Sequence, residues 1–139
     1  MTIFDEAQMM KRFTILMLLL VSTNVFADND TYLCIAEKST GFNFSEQTKA
    51  WESLDFNVTD IKYILKNNNN TWEWKAFGSK DSLPTTCSYF NKYGIMNCTG
   101  MYEVSFSREN LRFQQFFKLG YVDNFKSNPN IVIGRCSPI

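Results

Sequence analysis

From residue 102 to 107, apolar and polar side chains alternate one for one. Tyr102, Val104 and Phe106 share one side of an extended chain, and Glu103, Ser105 and Ser107 share the other. A period of two is the mark of a β-strand, whose successive side chains point to opposite faces. The pattern recurs along most of the chain. Residues 31–37 place Tyr32, Cys34 and Ala36 together, and Phe42 and Phe44 alternate after Gly41. Residues 60–66 align Ile61, Tyr63 and Leu65. Residues 71–77 align Trp72, Trp74 and Ala76 opposite Glu73 and Lys75. The asparagines 67–70 between these two segments tolerate left-handed turn geometry, so they predict a hairpin. Further strands are expected at 95–99, 101–107, 111–122 and 131–136. Residues 45–51 read as a short helix without a strong apolar stripe.

About eight short strands with turns roughly every 8–12 residues make a barrel or sandwich pattern. Many positions on both faces are aromatic, which a single flat sheet would leave exposed. The expected fold is therefore all-β: a small antiparallel meander closed or nearly closed into a barrel. Pairing the first strand with the last would remove the sheet edges.

The N-terminal 27 residues read as a cleaved signal peptide. Lys11 and Arg12 precede an apolar run at 13–21, and Val25-Phe26-Ala27 places small residues at −3 and −1 of a cut before Asp28. Asp5 and Glu6 are unusual upstream of such a basic pair, so Met9 or Met10 competes with Met1 as the start. No lipobox precedes Cys34, so no membrane anchor is expected after cleavage. The remaining segment, 28–139, is expected to be a single secreted domain and a monomer. Removing Lys11, Arg12, Asp5 and Glu6 from the 14 basic and 14 acidic residues leaves 12 of each. That balance argues against nucleic-acid and anionic-membrane partners.

All four cysteines, Cys34, Cys87, Cys98 and Cys136, follow the cut. An even number in a short exported chain implies disulfides. Three pairings are possible. Cys87–Cys98 would close a short loop around a turn at 91–94, and Cys34–Cys136 would tie the first strand to the last. Thiolates for zinc would show a paired close spacing that is missing here.

The chain has no histidine. That excludes Ser-His-Asp and Cys-His catalysis and imidazole general-base chemistry. No phosphate-binding glycine loop occurs, and Asp28-Asn29-Asp30 is too short for a calcium loop. Glu103 and Asp123 read as solvated carboxylates, and Arg112 and Lys118 as an outward basic stripe. Five Asn-x-Ser/Thr triplets, at Asn29, Asn43, Asn57, Asn69 and Asn97, are what so many asparagines give by chance. No enzyme activity, cofactor or metal is expected. Trp72 and Trp74 either stack a ligand or, as the better reading, fill the core.

Tyr32-Leu33-Cys34 through Phe44, with Thr48-Lys49-Ala50-Trp51, Lys62-Tyr63-Ile64, Leu111-Arg112-Phe113, Gly120-Tyr121 and Ile133-Gly134-Arg135-Cys136, resembles a group of small exported proteins of enteric and related bacteria, often encoded near prophage genes. That resemblance spans nearly all of 28–139 and implies a bacterial periplasmic or secreted location. A more distant resemblance, through Tyr32-Leu33-Cys34 and the Gly94 to Gly100 spacing, is to the periplasmic inhibitors of C-type lysozyme. It implies a disulfide-containing barrel with a cleft-plugging loop. Tyr93 stands where those inhibitors have serine, and their loop tyrosine is absent.

The expected function is a non-enzymatic protein-binding or inhibitor module, with an envelope or foreign protein such as a lysozyme as partner. Its contact residues would be Lys92, Tyr93, Gly94 and Gly100. The alternative is a carrier holding a small apolar or sugar ligand inside an aromatic-lined barrel, with Trp72 and Trp74 against it.

Overall fold

A computed structural model describes residues 31–124 and 127–139. The signal segment and the proposed cut before Asp28 lie outside the described residues.

Nine strands form: β1 (Thr31–Ser45), β2 (Ala50–Asp55), β3 (Lys62–Asn68), β4 (Thr71–Ala76), β5 (Thr85–Cys87), β6 (Ile95–Gly100), β7 (Tyr102–Ser107), β8 (Arg112–Phe117) and β9 (Asn130–Pro138). Eight of them run in the order β4-β3-β1-β9-β8-β7-β6-β5, β2 pairs with β1 off this path, and every pairing is antiparallel. First and last strands lie side by side at the centre of that order. The sheet curls until β4 approaches β5, where the Leu83 N–H donates to the Trp74 carbonyl at 2.9 Å. The result is the expected nearly closed barrel.

Alternation sends one side chain in two to the interior. Tyr63 and Leu65 of β3, Trp72 and Trp74 of β4, Met96 and Cys98 of β6, Val104 and Phe106 of β7, and Phe113 of β8 are buried. The Phe113 ring lies over Gly134, its partner on β9, where any Cβ would collide with it and with the Ile35 carbonyl. Tyr63 stacks on Trp74 with centroids 4.8 Å apart, and Tyr32 packs on Phe106 at 4.9 Å. An eight-stranded barrel is just wide enough for side chains to fill, and these aromatics are part of that filling.

The disulfides join Cys34 to Cys136 and Cys87 to Cys98. Each links directly opposed residues of neighbouring strands. Together they involve every cysteine of the chain. Such a framework suits an oxidising, extracytoplasmic setting.

β1 carries a bulge between Ala36 and Lys38. Strict alternation from Tyr32 would turn Lys38 inward. The extra residue at Glu37 flips the phase, so Lys38 is exposed and Ser39 is buried.

Two segments differ from the sequence expectation. Residues 45–51 form the turn and opening of a hairpin, not a helix. Ser45 pairs with Ala50 and Phe44 with Trp51, whose rings meet edge to face at 5.6 Å. Lys49 takes φ 54° and bridges to Glu46 at 2.8 Å. Cross-strand aromatic packing is available to the hairpin, whereas a helix here would have no apolar stripe to bury. Residues 111–122 are also not one strand. Leu111 has φ 56°, and its ladder starts at Arg112 and ends at Phe117, where its partners on β7 and β9 end. Gly120 then turns at φ 118°, with its N–H bound to the Asp123 carboxylate at 2.8 Å. A period of two carried on to 122 would put Leu119 and Tyr121 on the same face as Phe113 and Phe117, but both lie beyond the end of β8.

Candidate functional site

The barrel has two different ends. One is built by the β3–β4, β5–β6 and β7–β8 connections, which include the segment 88–94. Between Cys87 and Cys98 the chain makes a tight turn organised by Asn91. Its side-chain oxygen accepts from the Tyr93 N–H at 2.9 Å and the Ile95 N–H at 3.0 Å, and its backbone N–H donates to the Ile95 carbonyl at 2.9 Å. Gly94 sits at φ 67°, the left-handed region that favours glycine, and its carbonyl accepts from the Arg108 N–H at 3.0 Å. Tyr89 donates its hydroxyl to the Asn70 carbonyl at 2.9 Å, which locks the turn to the β3–β4 hairpin. Asn69 and Asn70 of that hairpin take φ 50° and 64°, the left-handed pair it requires.

This locked turn leaves Tyr89 70% and Tyr93 62% exposed. Lys92 Nζ lies 4.8 Å from the Tyr93 ring centroid. Beneath them Phe90 packs against Trp72 at 5.2 Å, and the Arg108 guanidinium lies over the Phe90 ring, 4.9 Å from its centroid. The surface is thus aromatic and exposed, on a backbone held by a disulfide and several hydrogen bonds.

The structure brings Lys92, Tyr93 and Gly94 together but not Gly100. Gly94 and Gly100 flank the length of β6, roughly 20 Å apart at strand rise. The span 92–100 is therefore a turn followed by a strand, with Gly100 at the opposite end against the Pro84 carbonyl. Trp72 and Trp74 are core residues, 8% and 0% exposed, and neither presents a face to solvent. Of the charged candidates, Glu103 is paired on the outer face with Lys118 at 2.7 Å, and Asp123 holds the Gly120 turn.

The other end was not anticipated. A cavity of about 420 Å³ opens there, lined among others by Ser39, Tyr63, Tyr102, Gln115, Phe117 and Asn130. Its inner wall is a buried polar chain. Gln115 is 4% exposed; its Oε1 accepts from Trp74 Nε1 at 2.7 Å and its Nε2 donates to the Tyr63 hydroxyl at 3.0 Å. The indole can only donate, which fixes the amide with its oxygen toward Trp74 and its nitrogen toward Tyr63. Burial raises the Tyr63 phenol above its ordinary 10.0, opposed by the Gln115 bond. The phenol is therefore neutral and keeps its hydrogen. The one signal for this site in the sequence was Gln115, a polar residue at an inward position of β8.

Comparison with family models, with curated proteins and with solved structures finds no match.

Proposed function

We propose that this chain is a non-enzymatic protein-binding module of the bacterial periplasm, and that it engages its partner through the Tyr89–Lys92–Tyr93 surface. One observation supports this above the rest: two large tyrosines stand in solvent on a backbone already fixed by Cys87–Cys98 and Asn91. Tyrosines on a rigid turn give large contact area at little entropic cost, which is why they dominate binding hot spots. The neutral charge balance fits a partner recognised by shape and aromatic contact, not by long-range steering. An inhibitor of an envelope-attacking enzyme such as a lysozyme is the form of this reading that the compartment favours.

The test is inhibition and capture with the oxidised protein against a panel of C-type lysozymes and envelope proteins, run beside a Tyr89→Ser/Tyr93→Ser variant. Retention or inhibition lost in the variant supports the reading. Equal behaviour of the two proteins refutes it. A second reading, small-ligand binding, draws on the cavity at the opposite mouth.

A further inference from the structure

We propose that the cavity between β1, β3, β7, β8 and β9 is a binding site for a neutral saccharide ring. The inference rests on the small-ligand reading and gives it a ligand class.

The cavity's volume, about 420 Å³, lies in the range of small-molecule sites. Its inner wall offers donors. Tyr63 accepts from Gln115, so its own O–H hydrogen is left to turn toward a guest, and Gln115 Nε2 has a second N–H. Ser39, turned inward by the β1 bulge, adds a hydroxyl at the same depth. The rim carries the amides of Asn57, Asn128 and Asn130, which both donate and accept. Tyr102 and Phe117 supply an aromatic wall, with ring centroids 5.1 Å apart and planes tilted by 36°.

The described lining holds no charged side chain. A charged guest would lose hydration there without a counter-charge, which is costly. A purely apolar guest would leave the buried Gln115 and Tyr63 donors unsatisfied. A sugar ring meets both conditions. It is neutral, its hydroxyls pair with amides and phenols, and its C–H face lies on aromatic rings.

The experiment is a two-dimensional NMR titration of the oxidised, nitrogen-labelled protein. The reporters are the Trp74 indole N–H and the Gln115 side-chain amide. The probes are glucose, N-acetylglucosamine and cellobiose, with glucuronate as the charged control and a small neutral aromatic, indole, as the apolar control. The proposal expects saturable shifts of both reporters with a neutral sugar, weak or absent shifts with glucuronate, and affinity lowered about tenfold in a Tyr102→Leu variant that loses the stacking face. Gln115→Met, checked for a cooperative thermal transition, should also weaken binding. Shifts with indole alone would overturn the saccharide assignment while leaving the cavity a ligand site. No shift with any probe would overturn both. Sugar shifts unchanged by Tyr102→Leu, or matched by glucuronate, would also overturn the proposal.

Discussion

The two mouths of the barrel are made from the same strands and behave as opposites. Toward the Tyr89–Tyr93 end the inward positions are Tyr32, Leu65, Trp72, Met96 and Phe106, and the interior is full. Toward the other end they are Ser39, Tyr63, Tyr102 and Gln115, and a cavity opens. One end packs its large side chains inside and displays tyrosines outside; the other keeps polar groups inside. The identity of the inward residues decides whether a mouth is a plug or a pocket.

Each mouth is open to a different disruption. The largest effect should come from the bond that holds both. Replacing Cys34 and Cys136 with serine removes a link across 102 residues, worth about 5 kcal/mol by loop entropy. Urea unfolding should then show loss at both ends. Removing Cys87–Cys98 opens a loop of only 11 residues, a loss of about 3 kcal/mol, and should leave sugar-dependent shifts at Trp74 intact. If both variants lose the same stability, the ends are not separable.

Phe106→Ala should cost about 3–5 kcal/mol, since the ring is 1% exposed and contacts Tyr32 and Phe90. The plugged half should suffer more than the pocket half. Gln115→Met is the matching change there. It keeps volume but leaves the Trp74 N–H without an acceptor, a loss of about 1–3 kcal/mol in denaturant midpoint experiments. A neutral outcome would mean that water takes over the amide's role.

The pocket half should also carry an alkaline weakness. The folded Tyr63 phenol titrates above 10.0, while the unfolded one titrates near it. Folded chains then hold a proton that unfolded chains release. Stability is whole below pH 10.0 and falls as pH rises from there toward the raised folded value. Tyr63→Phe should flatten that part of the thermal-stability profile. The smallest effect belongs to the other mouth: Tyr93→Ser, at 62% exposure, should change stability by less than about 0.5 kcal/mol while removing partner binding.

Much of this contrast was legible in the residues. Alternation located β3, β4, β6, β7 and β9 and put Trp72, Trp74, Val104 and Phe106 inside. Asparagines at 67–70 marked their hairpin because few other residues accept left-handed geometry. Alternation failed at Leu119 and Tyr121, because period two continues on paper after the neighbouring strands have ended. It failed at 45–51 because hairpin packing of Phe44 on Trp51 depends on a partner strand. For the candidate contact surface, Lys92, Tyr93 and Gly94 came out together, but Gly100 was separated by the extended length of β6.

By itself the sequence determined which side of each strand is apolar, that strands dominate, and that the cysteines come in an even set suited to an oxidising compartment. Those properties follow from local period and composition. Only the tertiary structure decided how deep along the barrel each inward residue lies. Ser39, Tyr63, Tyr102 and Gln115 come from β1, β3, β7 and β8, and they meet because strand register and the bulge at Glu37 set their depth. Register is a property of pairs of strands, so a single strand can show a polar inward residue such as Gln115 but not which residues meet around it.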